Sequence, residues 1–184
     1  LIAKGAGMEG FLEKLIASAG GTRTVVEASA GLTPRMSGTE TDPHFFLAPP
    51  LVLTYVENIR TGLTSFDAAG ASQYSSNAAS YTEKLRELDV WIRAEVAVIP
   101  ENERMLVTNH ESLGYFAASY GFRVVGTVLP GVSTGAAPSA RQVADLIDML
   151  RKTGARAVFL ESGSDPKLAR QIAEEAGIRV VTEL

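Results

Sequence analysis

Met105-Leu106-Val107-Thr108-Asn109-His110-Glu111-Ser112-Leu113-Gly114-Tyr115-Phe116-Ala117-Ala118-Ser119-Tyr120-Gly121-Phe122-Arg123-Val124-Val125 reads as a strand, a polar loop, a helix closed by glycine and a second strand. Glycine suits the left-handed position after a helix, and β-branched residues suit a buried strand. The same cadence of glycine, arginine and valines recurs at Gly20-Gly21-Thr22-Arg23-Thr24-Val25-Val26 and at Gly177-Ile178-Arg179-Val180-Val181. A further apolar strand is expected over Ala155–Leu160. Short apolar strands separated by helices predict crossover connections and a parallel sheet, so the fold class is α/β.

Outward from that stretch the helices follow. A short amphipathic one is expected over Gly10–Ala19, and Pro49-Pro50 announces another over Leu51–Leu63. The longest runs from Ala71 to Val98, with Tyr74, Ala78, Tyr81, Leu85, Leu88, Ile92 and Val96 forming one stripe at spacings of three and four. Its tyrosines and Trp91 are expected to pack. At a rise of 1.5 Å per residue it reaches roughly 40 Å, more than the depth of a small domain. It therefore reads as a strut between two lobes, residues 1–70 and 99–184, with 71–98 as the connector. Pro138-Ser139 opens a helix over Arg141–Lys152, and Asp165-Pro166 opens one over Lys167–Ala176.

Bulk properties exclude several classes. The 184 residues are 46% hydrophobic and 21% charged, as packed proteins are, and the net charge of -4 gives no basic footprint for nucleic acid. No apolar run is long enough to span a bilayer, and the opening Leu1-Ile2-Ala3-Lys4 is not a secretion signal. Zero cysteines exclude disulfides, thiolate metal sites and cysteine nucleophiles. That composition is compatible with a compartment outside the cytoplasm.

The chain holds only two histidines, each beside carboxylates: His44 in Thr41-Asp42-Pro43-His44 and His110 in Asn109-His110-Glu111-Ser112. Imidazole is the commonest side-chain ligand of transition metals. His110 is expected just past the carboxyl end of one strand and Glu161 just past another, and ligands of open parallel sheets bind at that edge. His44 could face the same edge across a cleft. Each ligating imidazole needs an acceptor on its other nitrogen, for which Asp42, Glu111 and Glu161 are the candidates. Taken singly, either histidine could instead be a surface or capping residue, with Asn109 or Ser112 capping the following helix. Tyr115 and Phe116 read as core.

Several segments resemble the zinc- and manganese-type solute-binding proteins of bacterial ABC importers. They are Asp42-Pro43-His44-Phe45-Phe46-Leu47, the long helix and Ile99–Thr108, His110-Glu111-Ser112-Leu113-Gly114-Tyr115-Phe116 and Ala157-Val158-Phe159-Leu160-Glu161. The resemblance runs through essentially the whole chain. It implies two α/β lobes with parallel sheets, joined by one rigid helix, and a metal cleft between them. It implies a monomeric, extracytoplasmic carrier, not an enzyme, that captures Zn²⁺ or Mn²⁺ and delivers the ion to a permease. Membrane association would come only through a lipid anchor, and some members are described as surface adhesins. The resemblance assigns His44 and His110 as metal ligands, with Glu161 as a third metal-site residue. It places a first ligand upstream of the segment matched by Gly7-Met8-Glu9 and a fourth, an aspartate, beyond the last strand, so the 184 residues correspond to the middle of the family pattern.

Two motifs point elsewhere. Gly5-Ala6-Gly7-Met8-Glu9-Gly10 fits the dinucleotide fingerprint, with Glu27 near the acidic position, which would make the chain a Rossmann-like domain of an oxidoreductase. Glu9 opposes it by putting negative charge where pyrophosphate should sit. Gly131-Val132-Ser133-Thr134-Gly135 has the form of a nucleophile elbow, but Pro138 delays the helix and no histidine follows.

Overall fold

The computed structural model describes residues 1–21, 23–132 and 137–182. The chain forms two compact units: Leu1–Pro34 with Phe45–Ala94, and Arg35–His44 with Glu95–Leu184. Ser133, Thr134 and Gly135 of the elbow-like motif lie outside the described residues.

In the first unit, β1 (Ile2–Ala3) pairs in parallel with β2 (Val26–Glu27), and α1 (Leu12–Ala19) lies between them in sequence. Between Arg35 and His44 the chain leaves this unit and forms a hairpin of β3 (Met36–Ser37) and β4 (Glu40–Thr41), turning at Gly38 with φ +58°. It returns through a 3-10 turn over His44–Leu47 into α2 (Pro49–Phe66), which carries its prolines in the first turn, where no N–H is missed. Gly62 of α2 lies against Val26, and a Cβ there would stand 2.3 Å from the valine methyl, so only glycine permits this packing.

α3 (Ala71–Ala97) is the long helix. Tyr74 opens it by donating its hydroxyl to Asp67 at 2.7 Å. Only Leu85 and Val96 of the expected stripe are fully buried. Tyr81 and Leu88 are exposed, while Thr82 and Asp89 are half-buried in their place. A helix turns about 100° per residue, so a strict three-and-four reading drifts off the covered face. The expectation that Tyr81 and Trp91 pack is corrected: they are 51% and 58% exposed.

The second unit is built on a four-stranded parallel sheet in the order β6-β5-β7-β8: β5 (Met105–Thr108), β6 (Arg123–Thr127), β7 (Ala157–Phe159) and β8 (Arg179–Val181). The crossovers are α4 (Gly114–Tyr120), α5 (Ala140–Thr153) and α6 (Lys167–Ala176). Each of these helices ends on a left-handed glycine, Gly121, Gly154 or Gly177, as the glycine cadence predicts for two of them. Ser139 and Gln142 form a capping box at the start of α5. Val107, Val158, Leu160, Leu146, Ile147, Leu150 and Ile172 fill the core between the sheet, α5 and α6. That core fixes the carboxyl edge of β5 and β7, from which the loops of interest emerge.

Candidate metal centre

β5 ends at Thr108, and Asn109, His110, Glu111 and Ser112 turn the chain toward α4. This loop is held tightly. The Thr108 hydroxyl and the Ser112 amide both donate to the His110 carbonyl, at 2.6 and 2.8 Å, and the Glu111 amide donates to the Gly131 carbonyl at 3.0 Å. Thr108 lies opposite Phe159 in the register of β5 with β7. Glu161, two residues past β7, therefore reaches the same sheet edge, as expected from the strand ends.

His44 arrives from the hairpin. Asp42 follows β4, and its Oδ1 accepts two hydrogen bonds from His44, one from the backbone amide and one from Nδ1, each at 2.9 Å. Asp42, His44 and His110 are all buried, with 4–5% of each exposed. The hairpin and the His110 loop belong to the same unit, and they bring His44 Nε2 to 3.3 Å from His110 Nε2. The rings meet edge to face, with centroids 5.1 Å apart and planes at 66°.

The hydrogen bonding decides what this pair can do. A carboxylate oxygen accepts, so the Asp42 contact puts a proton on His44 Nδ1 and turns Nε2 toward His110. On the far side, His110 Nδ1 lies 3.2 Å from Glu161 Oε1, close enough for charge pairing but out of line for a hydrogen bond. The same Glu161 oxygen accepts the Ser112 hydroxyl at 2.6 Å, which holds it in place. Burial pushes the His110 pKa below the ordinary imidazole value; the Glu161 charge opposes the shift and His44 adds to it. The outcome is two rings with carboxylates at both Nδ1 atoms and both Nε2 atoms converging. A shared proton can bridge such a pair, and so can a metal ion. Two ligands at about 2.0–2.1 Å on a tetrahedral zinc stand roughly 3.3–3.4 Å apart, the separation found here.

Glu161 lies beside Nδ1 of His110 rather than where the two Nε2 atoms meet. Among the described residues, no group of three His, Cys, Asp or Glu side chains surrounds a single ion position. Ser112, Ser37 and Tyr115 also hold the site together, and the sequence reading gave them no such role. Tyr115 is buried, as core residues are, but its hydroxyl accepts the Arg35 amide and donates to the Asp42 carbonyl, each at 2.8 Å. The available signal was a tyrosine five residues after His110, since a buried tyrosine hydroxyl requires a partner.

The glycine-rich loop at the start of the first unit is already occupied by its own carboxylates. Glu9 accepts the amides of Lys4 and Gly5, at 2.9 and 3.2 Å, and Glu27 accepts that of Ala6 at 3.1 Å. These are donors a pyrophosphate would need, and two negative side chains already hold them. The dinucleotide reading is thereby set aside.

Comparisons with known proteins place the chain among metal-binding relatives. The family described as zinc-uptake complex component A, periplasmic, matches residues 1–184. The chain is 37% identical over 145 residues to the manganese-binding lipoprotein MntA of Bacillus subtilis, covering 79% of this chain and 47% of that protein. It is 36% identical over 138 residues to the zinc-binding protein AdcA of Streptococcus pyogenes serotype M1, covering 75% and 26%. A crystal structure of ZnuA superposes with a TM-score of 0.86 at 28% identity, over 100% of this chain and 69% of that one. The chain thus spans about half the length of the first relative and about a quarter of the second.

Proposed function

The chain belongs to the family of periplasmic zinc-uptake components, and from that membership we propose that it captures a divalent zinc or manganese ion outside the cytoplasm and delivers it to the permease of an ABC importer. It works by binding and release, without bond chemistry, and as a monomer. The observation that carries this reading is the 3.3 Å approach of His44 Nε2 and His110 Nε2, with carboxylates at both Nδ1 atoms.

His44 and His110 are the ligands in this reading, with Asp42 orienting His44 and the Glu161 charge 3.2 Å behind His110. Carboxylates at the far nitrogen fix the ring and raise its basicity toward the ion. Imidazole suits zinc well, and the general affinity order places zinc above manganese. The names of the relatives, one manganese-binding and one zinc-binding, support both cargoes. The word lipoprotein in the first supports a lipid anchor. Among the described residues no helix is long and apolar enough to cross a membrane.

The test is calorimetry with Zn²⁺ and with Mn²⁺ on the intact protein and on His110→Ala. Loss of an outer partner costs about 10- to 100-fold in affinity, so loss of a ligand should cost at least about a hundredfold. Circular dichroism should show the fold unchanged. Equal affinity in the variant defeats the assignment.

A further inference from the structure

His44 and His110 are 66 positions apart, and something must set the distance between their rings. His44 stands two residues after Asp42, which holds it by two hydrogen bonds, so the position of His44 follows that of the β3–β4 hairpin. The hairpin is short. Its strands are two residues each, and most of its side chains are exposed. An isolated two-stranded hairpin is marginal in water, so this one needs an external anchor.

The anchor lies in the helix that follows His110. At the open end of the hairpin the Asp42 amide donates to the Arg35 carbonyl at 2.9 Å. In an antiparallel hydrogen-bonded pair the Arg35 amide would return the bond to the Asp42 carbonyl. Here the Tyr115 hydroxyl takes its place: it accepts from the Arg35 amide and donates to the Asp42 carbonyl. The side chain of α4 thus completes the last rung of the hairpin. Gly114 allows the approach, since a Cβ there would stand 3.0 Å from Arg35 Nε and 3.1 Å from Asp42 Oδ2. A second tie runs from the Ser37 hydroxyl to the carboxylate of Glu111, the residue next to His110.

We propose that Tyr115 is a positioning residue for the metal pair: by completing the Arg35–Asp42 rung it locks the His44 hairpin to the helix that begins just after His110, and so sets the separation of the two imidazoles. The Ser37–Glu111 contact is the secondary tie. This rests on the metal reading above. No step of it requires Tyr115 to touch the ion.

The test compares wild type, Tyr115→Phe and Ser37→Ala in the intact protein, by Zn²⁺ calorimetry and by the visible spectrum of bound Co²⁺, which reports ligand number and angle. Tyr115→Phe keeps the ring and removes the hydroxyl. Zinc affinity should fall about 10- to 100-fold, the usual loss for an outer-sphere partner. The Co²⁺ bands should shift in position and intensity, a change that general loss of stability does not produce. In Tyr115→Phe, the added loss from His44→Ala should be smaller than in wild type. If Tyr115→Phe does not fold, Ser37→Ala, on the hairpin rim, carries the same test with a smaller expected loss. Wild-type affinity and an unchanged Co²⁺ spectrum in the folded variants overturn this assignment alone. Failure of the wild type to bind Zn²⁺ or Co²⁺ overturns the metal reading first.

Discussion

A neutral imidazole can hold a metal and a protonated one cannot, so the proton affinity of His110 governs when the pair is competent. Burial is the main influence and lowers its pKa, with the Glu161 charge pulling the other way. The folded protein therefore binds fewer protons at this site than the unfolded chain does. Stability contributed by the neutral ring is present above the ordinary imidazole value of about 6.5 and is lost as the pH falls from there toward the lower folded value. The melting temperature of the metal-free protein should drop between about pH 7 and pH 5, and His110→Gln should flatten that drop; an equal slope in both counts against it. The two carboxylates should differ in weight. Asp42 is buried and aligned with His44 Nδ1, whereas the Glu161 side chain is 37% exposed and out of line with His110 Nδ1. Asp42→Asn should accordingly weaken zinc by about 10- to 100-fold, and Glu161→Gln by less, on the same calorimetric titration. The histidines stand out in the sequence because there are only two, and Asp42 because it shares a motif with His44. The task of Tyr115 does not, because a buried tyrosine looks like core until the partner of its hydroxyl is known.

At the scale of elements, what the sequence shows best is what burial and backbone chemistry make obligatory. β5 ends where its apolar run ends, and Gly121 and Gly177 close their helices with positive φ. The core of the second unit follows from the same pattern. Leu150 is 1% exposed and touches the sheet side of α5, so Leu150→Ala should cost about 2–5 kcal/mol in urea denaturation. A loss below about 1 kcal/mol would mean that the helix relaxes into the space. The β3–β4 hairpin escapes such reading. Met36-Ser37-Gly38-Thr39-Glu40-Thr41 has no apolar alternation, and the rung at its open end is closed by a tyrosine more than seventy residues away. The covered face of α3 departs from its apolar stripe for a related reason: a stripe of apolar letters marks a candidate face, and packing selects the one that is covered.

Across the whole molecule, the chain passes between its two units three times, after Pro34, after His44 and after Ala94. The Asp42 bonds to His44 and the Tyr115 bonds that anchor the hairpin lie within the second unit. A four-residue Gly-Ser insertion between Pro34 and Arg35 should therefore leave zinc affinity within about threefold, since doubling a loop costs only about 0.6 kcal/mol. The same insertion between Asp42 and Pro43 should abolish binding, and calorimetry separates the two outcomes. The ten residues Arg35–His44 are a detour from one unit into the other, and half of the imidazole pair is encoded in it. A chimaera spliced at Glu95 would exchange a complete sheet and still inherit a single imidazole of the pair, so any transplant that keeps both must begin upstream of Arg35.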